Sequence, residues 1–280
     1  MKIAMIGAGA MGGATVEGLV KTGLYKNEDI CVSDPSQAVL DKFVKLGVSV
    51  TTDNGAAAAD ADVVMVCVKP WLVERVLTGI KADLRPEEQV LVVIAAGVKA
   101  ASIQEWLGSK CPPLFLVIPN IAIAELASMT FIVPTAAATP QHSEQGTTAQ
   151  HSGLAAMATA QQTGLVVNLF GAMGETIITD EAHLGAGTTL ASCGIAYAMR
   201  YVRAASEGGV ELGFKADDAK RIVMQTMKGA VAVLEASGLH PEAAIDLVTT
   251  PGGVTIKGLN EMEHAGFTSA VIRGLKAGAK

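Results

Sequence analysis

The chain opens on a short apolar run, Lys2-Ile3-Ala4-Met5-Ile6, that passes without a spacer into Gly7-Ala8-Gly9-Ala10-Met11-Gly12. A strand running straight into G-x-G-x-x-G restricts the fold sharply. The first glycine makes a tight turn, the second admits a pyrophosphate to the backbone, and the third lets the following helix pack on the strand. An alanine-rich stretch to about Val20 predicts that helix, whose positive end would face the phosphates, and Ile30 to Val32 predicts a second strand. A dinucleotide site built on Gly7, Ala8, Gly9, Ala10, Met11 and Gly12 is therefore expected. Lys2 ahead of apolar residues also fits the start of a secretory signal. Gly7, Gly9, Gly12 and Gly13 interrupt any apolar h-region, so the strand is preferred.

Strands and helices then alternate to about Pro119. A helix is predicted from Gln37 to Leu46, a short strand at Val48 to Val50, and a fully apolar strand from Asp62 into Val68-Lys69-Pro70, as a central parallel strand requires. Gln89 to Ala95 leads into Ala96-Gly97, and Leu114 to Ile118 into Pro119-Asn120. These small or polar strand ends would form the crevice of a doubly wound sheet, with Asn120 facing it. The second strand ends in Ser33-Asp34-Pro35-Ser36, with Asp34 about 20 residues past Gly12, where a carboxylate accepts a ribose 2′-hydroxyl and repels a 2′-phosphate. No arginine stands beside it in sequence, so NADH is favoured over NADPH; the alternative is that Asp34 merely opens a turn.

From Val133 to about Gly153 the chain is rich in alanine, threonine, glutamine and proline and reads as an exposed loop or a frayed helix start. Beyond it Leu154 to Leu169, His183 to Glu207, Lys215 to Ala236, Glu242 to Leu247 and Val254 to His264 read as helices. The expected division is a Rossmann-like doubly wound domain over residues 1–152 and an all-helical domain over 153–280. With hydrophobic residues at 50% and charged residues at only 17%, the chain has more apolar surface than one compact monomer needs, so the helical part is expected to form a homodimer or higher homo-oligomer.

Mean hydropathy is +0.40, yet no uninterrupted apolar stretch reaches the roughly 18 residues of a membrane helix. A net charge of -6 without a basic block offers no footprint for nucleic acid. Cys31, Cys67, Cys111 and Cys193 form no C-x-x-C pair, which suits a reducing cytoplasm, and the five histidines show no ligand spacing, so no metal is expected.

A second unusual segment interrupts the helices: Asp246-Leu247-Val248-Thr249-Thr250-Pro251-Gly252-Gly253-Val254-Thr255-Ile256. Paired glycines let the backbone approach a ligand and turn several amides one way, which suits a carboxylate. The plainer alternative is a helix stop and restart with Thr255 as a cap.

Taken with Gly7 to Gly12, the segments Val68-Lys69-Pro70, Ala95-Ala96-Gly97, Ile118-Pro119-Asn120, Gln225-Thr226 with Gly229-Ala230, Ser237 to Pro241 and Pro251 to Thr255 resemble the pyrroline-5-carboxylate reductase family over nearly the whole chain. The resemblance implies reduction of a cyclic imine acid, 1-pyrroline-5-carboxylate, to proline by a nicotinamide dinucleotide, and a helical domain that dimerises by interlocking. It also implies that Gly252, Gly253, Val254 and Thr255 bind the substrate, with Thr255 catalytic. Asn54 would lie near the adenosine ribose, unless it only caps a helix before Gly55, and Val68, Lys69, Pro70, Ala95, Ala96 and Gly97 would lie along the cofactor. The Lys69 side chain could equally be solvated.

Two segments depart from the family. Leu116-Val117-Ile118-Pro119-Asn120-Ile121-Ala122 stands where members read Arg-x-Met-Pro-Asn-Thr-Pro, and Ala191-Ser192-Cys193-Gly194-Ile195-Ala196-Tyr197 where they read Ser-Gly-Ser-Gly-Pro-Ala-Tyr. Both changes make polar loops more apolar. A paralogue acting on a related cyclic imine or ketimine acid, and a non-catalytic dinucleotide-binding regulator, therefore stand as alternatives.

Overall fold

A computed structural model describes residues 1–135 and 158–279. It divides into two compact units, Met1–Ser192 and Cys193–Lys280.

The first unit contains β1 (Ile3–Ile6), α1 (Ala10–Thr22), β2 (Ile30–Ser33), α2 (Gln37–Val44), β3 (Ser49–Thr51), α3 (Asn54–Ala59), β4 (Val63–Val66), α4 (Val73–Ile80), β5 (Val90–Val93), α5 (Ala100–Leu107), β6 (Leu114–Ile118), β7 (Ser128–Pro134), α6 (Ala160–Gly171), β8 (Gly174–Ile178) and α7 (Leu184–Gly187). The strands form one sheet in the order β3-β2-β1-β4-β5-β6-β7-β8. Pairing is parallel as far as β6, β7 runs antiparallel to β6, and β8 runs parallel to β7. This is the Rossmann-like sheet the sequence predicts, with two further strands at its edge.

Every residue of β1, β4, β5 and β6 is buried, which explains their unbroken apolar runs. Alternate side chains serve opposite faces: Ile3 and Met5 join Val16, Leu19 and Phe43 in one core, while Ala4 and Ile6 join Leu77 and Ile103 in the other. Burial pushes the Cys67 thiol up to about 12 and the Cys111 thiol to about 11, so both serve as neutral packing groups.

The division falls after Ser192 and not at the expected 152/153, because β8 is a strand of the first unit's sheet and α6 packs against β7 and β8. β8 pairs with β7, and Gly174 enters it at φ 140° with Ser128 so close that a Cβ would meet its carbonyl oxygen at 2.2 Å. The helix expected from Leu154 is described from Ala160, and most of the expected loop from Val133 to Gly153 lies outside the described residues.

The helix expected from His183 to Glu207 is broken. A 3₁₀ turn at Glu181–His183, then α7, then a π-helical stretch at Thr188–Cys193 precede α8 (Gly194–Glu211). The second unit consists of α8, α9 (Ala216–Ser237), α10 (Pro241–Leu247), α11 (Val254–His264) and α12 (Phe267–Gly278). α8 and α9 pack closely, since a Cβ on Gly209 would lie 2.9 Å from that of Ala219. Ala219 is the only described residue of this unit that is fully buried, while Met199, Phe214, Val231 and Ile272 remain exposed. Burying each such side chain is worth roughly 1.5–3 kcal/mol, so these helices need an apolar covering to reach ordinary domain stability.

Candidate active site

The cleft lies at the carboxyl ends of β1, β2, β4 and β5, beside the point where the chain order reverses about β1, and encloses about 1130 Å³. Its floor is the turn from β1 to α1. Gly7 has φ 97°, and a Cβ there would meet the Cys67 carbonyl oxygen at 2.4 Å; on Gly12 a Cβ would meet the Gly7 carbonyl oxygen at 2.0 Å. Both glycines are demanded by the protein's own packing. Gly9 is different: it lines the cleft at the start of α1, and a Cβ there would meet nothing within 4 Å. Space held open above a backbone turn at a helix start fits a pyrophosphate.

Asp34 joins this turn to the end of β2. One carboxylate oxygen accepts the Ala8 amide at 3.0 Å and the other accepts the Ser36 amide at 2.9 Å. The turn-forming alternative is thus seen directly, and the same side chain lines the cleft. Ser33 donates its hydroxyl to Asn54 Oδ1 at 2.7 Å. The cap of α3 is Asp53, which accepts the Gly55 and Ala56 amides, rather than Asn54. Asn54 is thus free to present its Nδ2 to the cleft that it lines.

Among the other expected residues, Ala10, Met11, Val68, Lys69, Pro70, Ala95 and Ala96 line the cleft. Ala8 is buried behind it, and Gly97, at φ 79°, only turns the chain after Ala96. Asn120 does not line the cleft either. It is 4% exposed, its side-chain oxygen caps a 3₁₀ turn by accepting the Ala122 amide at 3.0 Å, and its Nδ2 donates to the Ala191 carbonyl at 3.5 Å. Buried polar side chains of this kind are commonly spent on the backbone.

Thr188, Ser192 and Arg75 line the cleft without having been expected there. Ser192 donates to the Pro119 carbonyl at 3.2 Å. Its signal was the altered turn at 191–195, while Arg75 carries no sequence signal because α4 delivers it.

The Pro251 to Thr255 segment belongs to the second unit. Gly252 has φ 71°, and Gly253 precedes α11 as its N-cap, so Thr255 is the second helical residue and not the cap. The Gly253 amide is used internally, donating to the Thr250 carbonyl at 2.9 Å. No side chain caps α11, which leaves the first-turn amides of Val254 and Thr255 open. The Thr255 side chain is exposed.

A Rossmann sheet whose glycine turn opens on a cleft, followed by an uncovered helical unit, defines a two-part dinucleotide-dependent oxidoreductase. Residues 181–280 match the family described as pyrroline-5-carboxylate reductase dimerisation, and residues 2–97 match one described as NADP oxidoreductase, coenzyme F420-dependent. Pyrroline-5-carboxylate reductase 2 of Dictyostelium discoideum is 35% identical over 285 residues, covering 99% of this chain and 91% of that protein. Pyrroline-5-carboxylate reductase 1 of the same organism is 36% identical over 275 residues; these cover 98% of this chain but 48% of that protein, so the chain spans about half of its length. A solved structure, Plasmodium falciparum pyrroline carboxylate reductase with NADP bound, has a TM-score of 0.83 at 22% identity, covering 100% of this chain and 95% of that one, and shares the fold. The chain belongs to the pyrroline-5-carboxylate reductase family.

Proposed function

We infer that this chain reduces 1-pyrroline-5-carboxylate to L-proline with a reduced nicotinamide dinucleotide. The observation that carries this is kinship along the whole chain to pyrroline-5-carboxylate reductase 2 of Dictyostelium discoideum. The bound dinucleotide supplies the hydride. The open space above Gly9 supports placing its pyrophosphate there, with Asn54 and Asp34 towards the adenosine ribose.

An imine nitrogen is basic and arrives protonated, so the site needs no lysine or histidine acid of the kind that carbonyl reduction requires. It needs a grip on the carboxylate and an acceptor for the nitrogen's proton. The open amides of Val254 and Thr255 suit the carboxylate, and the Thr255 hydroxyl oxygen can accept the N–H hydrogen bond. Gly252 and Gly253 shape this turn: a Cβ on Gly253 would lie 2.5 Å from Thr250 Oγ1.

Asp34 supports NADH as the preferred donor, because a fixed carboxylate beside the ribose disfavours a 2′-phosphate. The uncovered apolar helices of the second unit and the matched dimerisation family support a homodimer, or a higher assembly of dimers, as the working form. Four unpaired cysteines suit a reducing cytoplasm.

A second substrate reading rests on the apolar stretch Leu116 to Ala122 and on Asn120, which spends its side chain on the backbone instead of the cleft. It gives the enzyme a larger or greasier cyclic imine acid. Turnover of the five-membered imine acid against its six-membered homologue, with the product identified by mass, separates the two. The proline-forming reading expects a kcat/KM at least about tenfold higher for the five-membered ring, the scale of one methylene in a fitted pocket. Preference for the six-membered ring would establish the paralogue.

A further inference from the structure

The cleft runs along the strand ends in the order β2-β1-β4-β5-β6, so four strand spacings, about 19 Å, separate Asp34 after β2 from Pro119 after β6. With the ribose towards Asp34 and the pyrophosphate above Gly9, the nicotinamide falls at the ends of β5 and β6. The strand ends there contribute apolar residues, Ile94, Ala95, Ala96, Ile118 and Pro119, and the hydroxyls come from Thr188 and Ser192. Both belong to the π-helical stretch Thr188–Cys193, a distortion that commonly marks functional sites. This wall is fastened to the sheet. Asn120 Nδ2 donates to the Ala191 carbonyl at 3.5 Å, and in the turn leading into the wall the Glu181 carboxylate accepts the Ala100 amide at 3.4 Å. Thr188 donates to the Leu184 carbonyl one turn back in its own segment, a common habit of helical threonine. Ser192 instead reaches another element, donating to the Pro119 carbonyl at 3.2 Å. That bond holds its Oγ beside the end of β6 and commits its proton, so towards a ligand the oxygen can only accept. Ser192 also stands where members of the family read glycine, so this acceptor is particular to this chain.

We propose that the Ser192 hydroxyl oxygen accepts a hydrogen bond from the carboxamide NH2 of the nicotinamide and so sets the orientation of the ring. This rests on the dinucleotide reading of the cleft. The carboxamide is the N–H donor that a nicotinamide ring carries, and the N–H of the imine acid already has its acceptor in the Thr255 hydroxyl. An oxygen that has no proton to give repels the carboxamide carbonyl, so Ser192 selects the rotamer with the NH2 towards the wall. Anchoring that group restricts rotation of the ring about its glycosidic bond and keeps the hydride-bearing carbon facing one way.

The test is calorimetric titration of the intact protein, without imine acid, using NADH or NADPH, whichever binds more tightly, and the matching 3-acetylpyridine analogue, in which a methyl group replaces the carboxamide NH2. The wild type should bind the natural dinucleotide about three- to tenfold more tightly than the analogue, the value of one hydrogen bond. Ser192→Ala should weaken the natural dinucleotide by the same factor and leave the analogue unchanged, which erases the preference. Equal weakening of both by Ser192→Ala would mean that the residue acts only by holding Pro119, and would overturn the proposal. So would unchanged binding of both with a lowered kcat/KM for the imine acid, which would put the hydroxyl on the substrate. Equal affinity of the wild type for the two dinucleotides would overturn it without any variant, whatever the stability of Ser192→Ala. If the wild type binds no dinucleotide at all, the reading of the cleft itself fails and this proposal with it.

Discussion

Gly9→Ala is expected to abolish useful dinucleotide binding while leaving the protein folded. A Cβ at this position meets nothing within 4 Å, and its φ of -64° is open to any residue, so stability should stay within about 1 kcal/mol of the wild type. The methyl group would occupy the space through which a phosphate reaches the turn. Losing two charge-assisted hydrogen bonds at about 1.5 kcal/mol each weakens binding about 100-fold. Gly12→Ala is the contrasting substitution. Its Cβ would lie 2.0 Å from the Gly7 carbonyl oxygen, so α1 must shift and stability must fall together with binding, by about 1–3 kcal/mol as in an overpacked core. Thermal unfolding and calorimetric titration of the two variants side by side check this. Equal destabilisation by both would mean that Gly9 serves packing and not a ligand.

Thr255→Ala carries the second large effect. Thr255 is exposed in the first turn of α11, and its side chain does not cap the helix, whose N-cap position is held by Gly253. Removing the hydroxyl should therefore leave unfolding unchanged and lower kcat/KM by about 5- to 150-fold, equivalent to about 1–3 kcal/mol of transition-state binding. Steady-state kinetics at saturating dinucleotide measures it, and Thr255→Ser should recover most of the loss. An unaltered kcat/KM in Thr255→Ala would remove the residue from the site.

The parts of this molecule that were legible in its sequence are those whose environment leaves a simple pattern. Strands β1, β4, β5 and β6 are buried on both faces, so they read as unbroken apolar runs with small or polar ends. The glycine turn was legible because two of its glycines answer to packing and one to open space. β7 was missed because Ser128 and Thr130, buried and hydrogen-bonded to each other at 3.0 Å, mix polar residues into a strand. β8 was missed because Gly174-Glu175-Thr176-Ile177-Ile178 is largely solvent-facing and lacks a core stripe. That miss set the expected domain boundary too early.

Among candidate site residues, local chemistry was legible and tertiary delivery was not. Asp34 and Asn54 follow strand ends whose direction the topology fixes. Asn120 has the same sequence setting, yet the 3₁₀ turn that follows it takes its side chain as a cap. Arg75 lines the cleft from the first turn of α4, in a segment that carries no motif of its own.

The most direct test of the central claim is the decay of the reduced-nicotinamide absorbance band when purified protein meets 1-pyrroline-5-carboxylate with NADH or with NADPH. The account predicts consumption of the dinucleotide in step with proline formed, faster with NADH, and none without the imine acid. Tight dinucleotide binding without consumption under any of these conditions would contradict it and leave a binding protein in place of a reductase.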